Sequence, residues 1–234
     1  MGSEMCIRDR VNGLGELDQT NADAIMQWLS ANGALYWTYT IMRMIGRVAF
    51  PIFCFLLVEG FLHTHDVKKY AMRLGLFALL SEIPFDLAFS SKILEFNYQN
   101  VFFTLFIGLL TMIAYRAVEE KEEWNQALKV ILYILIVAAG MALAYFLKTD
   151  YAEKGVFCIM VLYIFRKKKM WQIIAGCASF IWETPALFGF IPIAFYNGTR
   201  GWKMKYFFYI FYPAHLLILY LLCYFMGISG YSAV

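Results

Sequence analysis

Residues 130–147 read VILYILIVAAGMALAYFL, with no charged or amide side chain among the 18 positions. At about 1.5 Å of rise per residue such a helix is about 27 Å long, close to the ~30 Å of hydrocarbon in a bilayer. A helix that packs on a soluble core interposes polar residues every three or four positions, and this run does not. The stretch therefore reads as a membrane span. Residues 48–58 and 206–228 are apolar in the same way, so the class assignment does not hang on one segment.

Composition agrees with this reading. The chain is 62% hydrophobic and 19% aromatic but only 16% charged, and its mean hydropathy is +0.60. A soluble domain of this length fills its core with far less apolar sequence. A net charge of +3 is too small to argue for a nucleic-acid partner, and the cationic residues fall in short loops between apolar runs. Cys54, Cys177 and Cys223 lie inside apolar segments and Cys158 in a shorter one. With no CxxC pair, neither a zinc site nor a disulfide framework is indicated.

Spans are expected at 43–62, 70–89, 101–118, 127–147, 151–165, 171–196 and 206–228, giving an all-α, polytopic transmembrane bundle of about seven crossings. Pro51 and Pro84 fall inside the first two. Residues 171–196 are interrupted by Glu183-Thr184-Pro185 and read either as one broken helix or as two half-helices. Residues 43–228 thus form the membrane domain and 229–234 a short tail. Residues 11–42 read as an extramembrane segment with one short amphipathic helix at 22–31, capped by Thr20 or Asn21. Residues 1–10, MGSEMCIRDR, read as adapter-derived sequence rather than native coding.

Basic loops mark the cytoplasmic side of a membrane. The loop at 63–69 and the run Arg166-Lys167-Lys168-Lys169 agree with each other, which puts 11–42 and the loop near Lys92 outside. Arg200, Lys203 and Lys205 fall outside if 171–196 crosses once, and inside if it doubles back at Pro185.

Ionisable groups at membrane depth are costly, so each is a candidate for function. His215 is the only imidazole, carboxylate or basic side chain in 206–228. Pro213 is expected to expose a carbonyl that would hold the ring, and a neutral imidazole there can accept a proton from an amine or alcohol. The structural alternative is a histidine bonded to a neighbouring helix. Glu82 and Asp86, spaced i, i+4 around Pro84, share one helix face; they relay protons or neutralise Arg43, Arg47 or Arg73. Glu59 and His63 repeat that spacing near a membrane edge, where solvated pairs are common. Glu183 marks a broken-helix site or a hinge. Arg200, Lys203 and Lys205 follow the turn signal Tyr196-Asn197-Gly198; they grip phosphates or anchor the chain at the interface.

Several stretches, in order, resemble the TraX family of bacterial membrane proteins: IGRVAFPIFCFLLVEGF (45–61), RLGLFALLSEIPFDLAF (73–89), QNVFFT (99–104), YNGTRG (196–201) and KYFFYIFYPAHLL (205–217). The resemblance highlights Arg47, Glu59, His63, Glu82, Asp86, Asn100, Thr104, Asn197, Arg200 and His215. It implies an acyltransferase that moves an acetyl or other acyl group from acyl-CoA to an amine or hydroxyl acceptor, the pilin N-terminus in the founding members. A histidine, with His215 the candidate in this chain, would then deprotonate the acceptor, and Arg47 or a backbone N–H near a helix break would stabilise the oxyanion. Arg200, Lys203, Lys205 and Asn197 would hold the cofactor. Family members also open with a helix carrying an Asp-His pair, which is expected upstream of residue 11. A transporter, or a scaffold for pilus or envelope assembly without chemistry, are the alternative readings.

Overall fold

The computed structural model describes residues 22–90, 98–199 and 207–225. The readings placed on residues 1–20, and the expected helix cap at Thr20 or Asn21, lie outside these residues. Among the described residues the chain is all-α. Its helices are α1 (Ala22–His63), α2 (Val67–Ser90), α3 (Val101–Glu119), α4 (Gln126–Phe146), α5 (Ala152–Ile164), α6 (Lys169–Ser179), α7 (Phe190–Phe195) and α8 (Phe207–Phe225). A 3-10 turn, Thr184–Gly189, precedes α7.

Helix α1 departs from expectation. The amphipathic helix expected at 22–31 does not stop there but runs unbroken through all 42 residues to His63. Residues 32–42 contain Gly33 but no proline, so nothing in them ends a helix that is already formed. Its C-terminal part, Met44–His63, is one of three helices among the described residues long and apolar enough to cross a membrane; Val101–Glu119 and Gln126–Phe146 are the others. Helix α2 has the length of a span but carries Arg73, Glu82 and Asp86. Helix α5 has only 13 residues, about 20 Å.

The chain divides into two units, one of residues 46–79 and 97–201, the other of 1–45, 80–96 and 202–234. In the first, α1, α3 and α5 run in one direction. Phe50 stacks on Tyr151 at the start of α5, with ring centroids 3.6 Å apart, and Phe61 meets Tyr163 near its end at 5.6 Å. Helices α4 and α6 return. Gln172 Nε2 on α6 donates to the Leu162 carbonyl on α5 at 2.9 Å, and one end further on the Cys158 thiol donates to the Ser179 carbonyl at 3.3 Å. Cys54, Val58, Leu109, Met112, Ile159 and Phe180 are fully buried between these helices.

The segment expected as either one crossing or two half-helices is two half-helices. Helix α6 descends from Lys169, the chain turns at 180–189, and α7 climbs back until Lys169 Nζ donates to the Tyr196 carbonyl. Phe190 packs edge-to-face on Phe180, 5.6 Å away, and closes the hairpin. The chain therefore reaches Asn197 at the end that also holds Arg166–Lys169. That end collects the 63–69 loop and the Glu119–Arg166 ion pair at 2.6 Å as well, and we term it the basic end. The loops around residues 99, 149 and 182 occupy the opposite end.

Helix α4 shows how the bundle meets lipid. Only 17% of its apolar window is buried, and Val130, Ile131, Ile134 and Leu135 are exposed. It touches α3 through the stacked rings of Tyr115 and Tyr133, 4.1 Å apart, and further along through small residues. A Cβ on Gly140 would lie 2.2 Å from Thr111 Oγ1, so only glycine admits the approach. Gly140→Ala should therefore destabilise the protein by roughly 1–3 kcal/mol, as overpacking does. Gly46→Ala, where nothing lies within 4 Å, should leave stability unchanged or raise it. Unfolding curves in mixed micelles compare the two; equal losses would contradict the α3–α4 contact.

Asp66 caps the start of α2: its carboxylate accepts the Lys69 backbone N–H at 3.0 Å and lies 3.1 Å from Lys69 Nζ. These bonds, the backbone one foremost, hold its pKa below the usual 3.8. Because the folded value is depressed, the stabilisation is present above the unfolded pKa and is lost as pH falls through the folded one. Protection of the Lys69 amide from hydrogen exchange should drop below about pH 4 in the wild type. Asp66→Asn should show no such acid step.

Candidate functional site

Polar and aromatic residues of the first unit converge at the end opposite the basic one. Position 47 lies near the start of the apolar part of α1, three residues before Phe50. Its guanidinium donates to the carboxylate of Glu183, which sits 136 residues away at the turn of the hairpin. Both side chains are largely withdrawn from solvent, 15% and 8% exposed. An ion pair at such depth gains from low dielectric but has lost its hydration, so it holds only while both charges stay together. Arg47 thus has Glu183 as an acid partner, a pairing that the spacing of Glu82 and Asp86 does not suggest.

Around this pair stands an aromatic wall. Trp182, adjacent to Glu183, donates from its indole N–H to the Ser179 carbonyl at 2.8 Å. Its ring lies 6.0 Å from Tyr151 in an edge-to-face arrangement, and the ammonium of Lys154 sits 5.0 Å from its centroid. Tyr151 in turn stacks flat on Phe50. The wall therefore joins α1, α5 and the hairpin turn.

The loop that supplies Tyr151 is strained. Lys148, Tyr151 and Ala152 have φ of 52°, 63° and 42°, values that cost energy for residues with a Cβ. What fixes them is a short backbone ladder: Gln99 N–H donates to the Lys148 carbonyl at 3.1 Å, and Asp150 N–H donates to the Gln99 carbonyl at 2.9 Å. The Tyr98 hydroxyl adds a bond to the Asp150 carboxylate at 2.5 Å. The Thr104 hydroxyl donates to the Asp150 carbonyl. Asn100 does two jobs. Its Oδ1 accepts the Phe102 N–H at 3.0 Å and caps α3, while its Nδ2 donates to the Ala78 carbonyl at 2.8 Å.

Of the residues singled out from sequence, Arg47, Glu183, Asn100 and Thr104 thus meet at one end. Glu59 and His63 lie at the other. His63 Nδ1 is 2.9 Å from the Glu59 carbonyl and 3.7 Å from its carboxylate, with the imidazole 68% exposed. Asn197 Oδ1 accepts both the backbone N–H and the hydroxyl of Thr199, at 3.0 and 2.6 Å, and so builds the turn at Gly198. Arg200, Lys203 and Lys205 lie outside the described residues.

The second unit holds Glu82, Asp86 and His215. Both carboxylates are buried, Asp86 to 1% exposure. Pro84 between them is an interior helix position. On α8, His215 Nδ1 lies 2.9 Å from the Phe211 carbonyl, and its ring stacks on Phe211 with centroids 5.1 Å apart. Pro213 removes the N–H that would reach the Tyr209 carbonyl, so the carbonyl that holds the ring is not the one the proline was expected to free.

Sequence reasoning missed Tyr98, Asp150, Tyr151, Lys154 and Trp182. Asp150 did carry a signal, being a carboxylate in the short connection between two apolar helices. The positive φ angles beside it carried none, because no glycine announces them.

These features define a polytopic helical membrane protein with a buried ion pair and a re-entrant hairpin. The family model described as TraX protein matches residues 26–223, and the chain belongs to that family. A "Probable fimbrial assembly protein FimC, serogroup H1" from Dichelobacter nodosus is 27% identical over 208 residues, covering 78% of this chain and 83% of the relative. No solved structure matches the chain.

Removing Arg47 alone strands the Glu183 carboxylate. Arg47→Ala should cost about 3–5 kcal/mol, and Arg47→Ala/Glu183→Ala should recover part of that loss. Unfolding in mixed micelles reads both; a double variant no more stable than Arg47→Ala would mean that the pair is not coupled.

Proposed function

We propose that this protein is an inner-membrane acyltransferase that serves pilus or fimbrial assembly, moving an acetyl or other acyl group from acyl-CoA to an amine or hydroxyl acceptor. The observation that carries the reading is the setting of His215. Donation from Nδ1–H to the Phe211 carbonyl leaves Nε2 as the basic nitrogen of a neutral imidazole. The hydrogen bond and the stacking on Phe211 fix the ring's orientation.

In the transfer, Nε2 takes the proton from the acceptor as the acceptor's lone pair attacks the thioester carbonyl. Collapse of the tetrahedral intermediate breaks the C–S bond, and the imidazolium returns the proton to the departing thiolate. Acyl-CoA is cytosolic. The doubling back at 180–189 supports a cytoplasmic position for the chain around Asn197, since it shares an end with Arg166–Lys169. Arg200, Lys203 and Lys205 follow in sequence and are the candidate phosphate ligands of the donor. Asn197 belongs to that set through its Nδ2 donors, since Thr199 occupies only its oxygen.

Membranes containing wild-type protein, radiolabelled acetyl-CoA and pilin test this directly. His215→Ala should lower transfer by about 10²–10⁴-fold with expression unchanged; unaltered transfer would end the assignment. A second reading, an assembly factor without chemistry, is favoured by the name of the fimbrial relative. It predicts that wild-type protein transfers no label while pili still depend on the gene.

A further inference from the structure

The basic end carries an open groove of about 430 Å³ lined by Ile164, Phe165, Lys167, Lys168 and Trp171. Its neighbours in sequence are already engaged. Arg166 makes two bonds to the Glu119 carboxylate, at 2.9 and 2.6 Å, and one to the Tyr163 carbonyl at 2.9 Å. Lys169 is bound to the Tyr196 carbonyl. Lys167 approaches Glu119 only to 3.9 Å, its side chain 77% exposed. The ammonium groups of Lys167 and Lys168 therefore give the groove its positive charge.

A further source of positive potential is the backbone. Lys168 is the residue before α6, and no side chain caps that helix start. The first-turn N–H groups and the positive end of the helix dipole thus lie beside the same lysine. Anions bind where such N–H groups and cationic side chains coincide.

Below the charged rim the groove is apolar. Trp171 and Ile174 are exposed along α6, and Phe157 and Ile164 along α5, which packs against it. Tryptophan and lysine side by side at the end of bilayer-facing helices are the pairing found at headgroup depth. A ligand that matches both parts has a phosphate at one end and hydrocarbon at the other.

We propose that this groove binds one anionic phospholipid. Its phosphate rests on Lys167, Lys168 and the start of α6, its glycerol region lies against Trp171, and its acyl chains follow the α5 and α6 rails. Anionic lipids concentrate at basic clusters of this kind. The site depends on membrane placement alone, and its success or failure is separate from that of the acyltransferase reading.

Native mass spectrometry of the full protein, extracted from nanodiscs with equal phosphatidylglycerol and phosphatidylcholine, reads the lipid retained. Wild type should keep phosphatidylglycerol several-fold over phosphatidylcholine. Lys167→Gln/Lys168→Gln should bring the ratio back to that of the bilayer, while Lys121→Gln should leave it high. Trp171→Ala should also reduce retention without changing charge, which covers the case of a double variant that does not fold. An unchanged ratio in both variants would overturn the proposal. So would equal loss in Lys121→Gln, which would mean diffuse attraction rather than a site. Displacement by inorganic phosphate alone, or by acyl-CoA at the same concentration as soluble phosphatidylglycerol, would likewise assign the groove to another ligand.

Discussion

Hydrocarbon offers no hydrogen-bond partner, and this constraint shapes the non-helical segments that enter the bundle. At the end opposite the basic loops, the α4–α5 connection and the segment before α3 supply each other's bonds. Gln99 both donates to Lys148 and accepts from Asp150. Asn100 closes the gap between α2 and α3 by capping one helix and bonding to the backbone of the other. The strained backbone at Lys148 and Tyr151 persists because these bonds, the Thr104 hydroxyl and the Phe50 ring over-determine it.

The same constraint explains how a hairpin can enter the bundle. Pro51 removes the donor that would reach the Arg47 carbonyl, and the hairpin approaches at this point. A Cβ on Gly189 would lie 2.6 Å from Pro51 Cγ and 2.7 Å from the Val48 carbonyl. Glycine is therefore what lets the 3-10 turn lie against α1. One turn away, Arg47 and Glu183 tie the two together with charge. Packing and electrostatics thus act on one joint. The aromatic rings run from Phe50, one turn after Arg47, through Tyr151 to Trp182, the residue before Glu183, and the pair itself is largely withdrawn from water that would weaken it.

Much of this is legible in the amino-acid sequence. Long apolar runs place α1, α3 and α4, since length and lack of charge suffice for a span. Arg47 and Glu183 stand out as charged residues in or beside apolar segments, Asn100 and Thr104 only through the resemblance to the TraX family, and all four lie at one end. Partners are harder to read. Arg47 and Glu183 are separated by most of the chain, and no local spacing connects them. Thr104 bonds to a carbonyl, which has no residue-specific signature. His215 is visible as a lone imidazole, but the carbonyl that orients it follows from the ring's rotamer rather than from Pro213.

The solvent and the class of element are therefore written in the order of residues alone. Hydrophobic runs of membrane length with basic loops specify helices in a bilayer, because transfer energy and backbone satisfaction are local properties of a segment. Two outcomes come only with the packed chain: that 171–196 returns to the end it left, and which charges meet. They depend on what fits against a particular surface, such as Gly189 on Pro51 or Gly140 on Thr111, and such complementarity exists only once both partners are in place.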